Sequence, residues 1–78
     1  MRSVYKNPRE LATCIKDLVD LYLEDLMTYD KLEQRILKIA EANGDAVLDK
    51  DGFMPVKLSI ILGDERKEIV IKIIENNQ

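Results

Sequence analysis

Seventy-eight residues suffice for one small domain, 1–78, and no more. Hydrophobic residues make up 46% of the chain, too many for a disordered tail, while aromatics reach only 5%, so Leu, Ile and Val must build the core. The net charge of −3 comes from 12 basic and 15 acidic residues, with the acidic excess beyond Ile39, and this balance lacks the basic footprint of a phosphate-backbone binder.

The first predicted helix opens at Asn7, a residue suited to capping, with Pro8 at the first helical position and Glu10 three residues after the cap. Leu11, Ile15, Leu18, Val19, Tyr22 and Leu26 then recur at helical spacing within an arc of roughly 100°. Ala12, Cys14, Leu21 and Leu23 widen that arc to roughly 200°, so the helix either lies between two neighbours or contributes to an interface. Asp25 falls inside the apolar arc, which places the end of the regular helix near it.

Thr28 caps a second helix, with Asp30 in its first turn and Tyr29, Leu32, Ile36, Ile39 and Ala40 as its stripe. Asn43-Gly44 is a stop signal, and the short link favours an antiparallel hairpin. Residues 45–55 form a connection. Ala46-Val47-Leu48 make a turn that tucks under the hairpin, and Asp49-Lys50-Asp51-Gly52 carry turn chemistry.

The last third admits two readings. In one, a short helix from Pro55 to Leu62 stops at Gly63, and a second, capped by Asp64, runs to about Glu75 with Ile69, Val70, Ile73 and Ile74 as its stripe. In the other, the alternation of Val56, Leu58, Ile60 and Leu62 and of Ile69, Ile71 and Ile73 makes a β-hairpin, giving an ααββ fold. The sequence Gly63-Asp64 reads as stop and cap, and Asp64, Glu65 and Glu68 suit a first helical turn, which favours helix. The features Tyr5-x-x-Pro8-x-Glu10-Leu11 and Ile61-Leu62-Gly63-x-x-Arg66 together resemble a group of small bacterial proteins with no assigned function. That resemblance implies an all-helical fold and transfers no active-site residue. The expectation is an all-α bundle of two long antiparallel helices and two shorter C-terminal ones.

Site chemistry is sparse. The chain has no histidine, which removes His-based acid–base and nucleophile pairs and every His-containing zinc set. The single cysteine, Cys14, forms neither an intrachain disulfide nor a thiolate cage and sits on the flank of the apolar arc as a small hydrophobe. Asp49-x-Asp51-Gly52 has the look of a calcium loop, but either register puts Leu58 or Ile60 where the bidentate glutamate belongs. Asp17, Asp20 and Glu24 share one helix face, opposite the apolar stripe, where a solvated surface is expected rather than a catalytic cleft. The glycines are too scattered for a phosphate loop. A helix-turn-helix centred on Gly63 would offer Arg66, Lys67 and Lys72 to a DNA groove, yet the same segment carries Asp64, Glu65, Glu68 and Glu75, so nucleic-acid binding is not the expectation.

What stays unaccounted for is apolar surface. Leu37 lies about 140° from Leu32 around the second helix, and Ile71 roughly 200° from Ile69. With Leu21 and Leu23 at the edges of the first stripe, they form the expected partner surface of a non-enzymatic, cofactor-free interaction domain that pairs with itself or with another protein. The sequence shows no signal peptide and no apolar run of membrane length, which points to the cytoplasm.

Overall fold

A computed structural model describes residues 7–49 and 51–77, the side chain of Asp45 excepted. Tyr5, which belongs to the resemblance motif, and Lys50 of the expected turn lie outside the described residues. Three α-helices appear in chain order: α1 (Pro8–Leu23), α2 (Tyr29–Asn43) and α3 (Val56–Asn76), with a 3₁₀ turn, Gly44–Ala46, after α2. Among the described residues there is no strand, so the chain is all-α and the ααββ alternative falls.

Both predicted caps of the first two helices form. Asn7 Oδ1 accepts from the Arg9 amide at 2.8 Å, and Thr28 Oγ1 accepts from the Lys31 amide at 3.3 Å. The end of α1 is a Schellman arrangement. The Leu26 amide donates to the Leu21 carbonyl at 2.8 Å and the Asp25 amide to the Tyr22 carbonyl at 3.1 Å. Asp25 sits at φ 62, the left-handed position usually given to glycine. The helix thus ends before Leu26, which is 70% exposed and not part of the core stripe.

The expected division into two long and two short helices is not matched, because the C-terminal helical residues run on with no loop between them: α3 holds two helical stretches joined across a kink at Gly63, whose φ 79 and ψ 168 are non-helical. The physical reason lies in the phase of the stripe. Leu58 and Ile74 are both buried, yet an unbroken helix would set them about 160° apart around its axis. One glycine in a conformation that other residues avoid re-phases the helix, so no loop and no second cap are required. Pro55, in extended conformation with φ −54 and ψ 143, precedes the first turn and makes no side-chain capping bond.

The core draws on every element: Leu11, Ala12, Ile15, Leu18 and Val19 from α1, Leu32, Ile36 and Ile39 from α2, and Leu58, Leu62, Val70, Ile73 and Ile74 from α3. Val47 and Met54 are buried at either end of the connection and pin it to the core. Between them Asp49 closes the turn, its Oδ1 accepting from the Asp51 and Phe53 amides at 2.9 Å each. The most extensive helix contact is between α1 and α3, with α2 packed against both. That is why the first stripe is so wide: α1 lies between two neighbours.

Candidate interaction surface

Among the described residues, the exposed large apolar side chains fall in two places. Phe53, Val56 and Ile60 are 70%, 71% and 74% exposed, at the end of the connection and on the outer side of the first half of α3. Val56 and Ile60 are one turn apart, opposite the buried pair Leu58 and Leu62. A less exposed group, Leu23, Leu26 and Tyr29, lies at the α1–α2 link, where the Tyr22 and Tyr29 rings meet edge to face with centroids 5.6 Å apart.

The four residues expected to face a partner divide. Leu23 is exposed; Leu21, Leu37 and Ile71 are half-buried, and Leu37 and Ile71 pack against the core. Leu37 and Ile71 are covered in part despite their angular distance from the central stripe because each helix touches two others, which widens the arc that counts as inside. The strip of Phe53, Val56 and Ile60 was missed, although helical phase alone opposes Val56 and Ile60 to Leu58 and Leu62.

Beside the strip, between the start of α1 and the first half of α3, a hollow of about 400 Å³ is lined by Asn7, Pro8, Arg9, Lys57, Ile60 and Ile61. A second shallow hollow of about 390 Å³ lies on the other half of α3, lined by Glu68, Ile69, Ile71, Lys72 and Glu75.

The polar candidates are engaged structurally. Asp20 receives Arg66 Nε at 2.7 Å on one oxygen and Lys16 Nζ at 3.1 Å on the other. The Arg66 hydrogen bond is the main reason its carboxyl titrates below the ordinary 3.8. Asp17 and Glu24 are exposed, so the three carboxylates do not converge in a cleft. Arg66 also donates from Nη1 to the Leu62 carbonyl at 3.1 Å, one residue before the bend. Asp49 spends one oxygen on two backbone amides, and no group of three or more Cys, Asp or Glu side chains that could hold a metal ion occurs among the described residues. Cys14 is half-buried against the core.

A model of the family described as conserved hypothetical protein matches residues 2–75, nearly the whole chain. The chain belongs to that family. No curated protein and no solved structure matches it. Among the described residues, no helix is long and apolar enough to cross a membrane.

Proposed function

We propose that this domain is a non-enzymatic interaction module that self-associates through the strip formed by Phe53, Val56 and Ile60. One observation carries the reading. A chain of 78 residues with only four aromatics leaves one of them, together with two β-branched side chains on a single helix face, at least 70% exposed. Scattered apolar residues are ordinary on any surface, but Phe53, Val56 and Ile60 lie within eight residues of one another, with Ile60 lining a hollow, and contiguous exposed apolar surface is a mark of docking faces. A small domain gains from pairing because a second copy buries what one interior cannot. Two-fold closure is the commonest arrangement for such a pair. The lone cysteine fits a reducing compartment, and we place the domain in the cytoplasm.

The helix-turn-helix alternative has less behind it. Gly63 alone joins the two helical stretches of α3, leaving no turn of several residues between them, and Arg66 is committed to Asp20 and to the Leu62 carbonyl. Lys67 and Lys72 share their segment with four carboxylates.

Sedimentation equilibrium across micromolar concentrations tests the proposal. The wild-type chain should exceed its monomer mass of 9.0 kDa. Ile60→Glu should return it to monomer with the helical circular dichroism intact, since Ile60 is 74% exposed and contributes little to the core. A monomer throughout contradicts the reading.

A further inference from the structure

A third hollow, of about 220 Å³, lies where the start of α1, the 3₁₀ turn and the start of α3 meet. The buried side chains Leu11 and Leu58 line it together with Pro8, Ala46 and Val56, and Lys57 is the only charged residue of its described lining. An apolar cavity of about 150 Å³ takes up a benzene ring, so this hollow has room for one aromatic side chain. Phe53 stands just before the hollow's α3 wall, yet it is not among the described lining residues and stays 70% exposed. Its backbone is fixed from both sides: the Phe53 amide donates to Asp49 Oδ1 and the Phe53 carbonyl accepts from the Asp49 amide, each at 2.9 Å. Met54, the next residue, is buried. An aromatic side chain on a backbone held in this way loses little freedom when it docks, which suits it to anchor an interface.

We infer that Phe53 of each copy seats its ring in this hollow of a second copy. The inference rests on the self-association reading and names the contact that covers the strip. Ring and hollow wall belong to one short stretch, 53–58, so a two-fold axis beside it makes both contacts in one operation and the pair closes without a third copy. Val56 belongs both to the strip and to the hollow, so seating the ring also covers it. The charge that Lys57 brings to the hollow is the one an aromatic face attracts.

The test separates the ring from the hollow. Phe53→Ala removes the ring, and Ala46→Leu fills the hollow from an exposed position. Neither side chain belongs to the core, so the circular dichroism of both variants should match wild type. Each variant alone should dissociate on the order of tenfold more readily than wild type in sedimentation equilibrium. Mixed in equal amounts they should associate more tightly than either alone. The ring kept by the Ala46→Leu chain then meets the open hollow of the Phe53→Ala chain, which restores one of the two contacts. If Ile60→Glu abolishes association while Ala46→Leu associates as wild type does, self-association survives and the seating of Phe53 is overturned. A mixture no tighter than its components overturns it as well. A monomeric wild type overturns both readings.

Discussion

Asp20 on α1 and Arg66 on α3, 46 residues apart in the chain, are joined by a 2.7 Å hydrogen-bonded ion pair. Arg66 reaches Asp20 from just past the bend and at the same time donates to the Leu62 carbonyl just before it. A single guanidinium therefore ties both sides of the Gly63 bend to the helix on which α3 chiefly packs.

Neutralising that link should cost stability in a way that depends on pH. The carboxyl of Asp20 is held below its ordinary 3.8 chiefly by the Arg66 hydrogen bond, with Lys16 adding to it. A depressed carboxylate stabilises the fold fully above its unfolded value, and the contribution is lost as pH falls through the folded value. Urea unfolding at neutral pH should show Asp20→Asn to be about 1 kcal/mol less stable, with a comparable coupling to Arg66→Gln in a double-mutant cycle. As pH falls through and below the ordinary carboxylate range, the gap between wild type and Asp20→Asn should close. Additive single effects would show that the pair is not coupled.

Asp25 holds the left-handed position of the α1 Schellman cap at φ 62, where a Cβ is unfavourable. Asp25→Gly keeps both capping bonds and relieves that strain. Thermal or urea unfolding should find it more stable by about 0.5–1 kcal/mol. A loss of stability would mean that the Asp25 side chain contributes more than its backbone costs.

Gly63 is the opposite case. A Cβ there meets nothing within 4 Å, so substitution carries no clash and the whole cost is conformational. At φ 79 and ψ 168 the backbone occupies a region that is nearly glycine's alone. Gly63→Ala should lose about 1–3 kcal/mol in urea unfolding. Unchanged stability together with raised helical signal would show that α3 can straighten without cost, and the phase argument would fail.

Much of this fold was legible in residue order, and the reasons are local. Asn7-Pro8, Thr28 and Asn43-Gly44 act on their own neighbours, so the start of α1 and both bounds of α2 follow from caps and stops alone, while the end of α1 follows from Asp25 in the apolar arc. Gly63 was recognisable as a break, but that the next helical stretch resumes at once with no loop was not, because that depends on where α1 lies beneath it. The pattern of exposed and half-covered apolar side chains was the least legible part. Leu37 and Ile71 appear outside their stripes only until α3 covers α1 and α2. The role of Arg66 was hidden for the same reason, since Asp20 is distant in sequence and only the packing of α3 on α1 brings them together.

The central claim, that the outer side of α3 is where this domain meets a second copy, is tested most directly by a dilution series followed through backbone amide chemical shifts. On dilution through the micromolar range the shifts at Phe53, Val56 and Ile60 should move together, while Leu23, Leu26 and Tyr29 stay fixed. Movement confined to Leu23, Leu26 and Tyr29, or no movement anywhere, would contradict it.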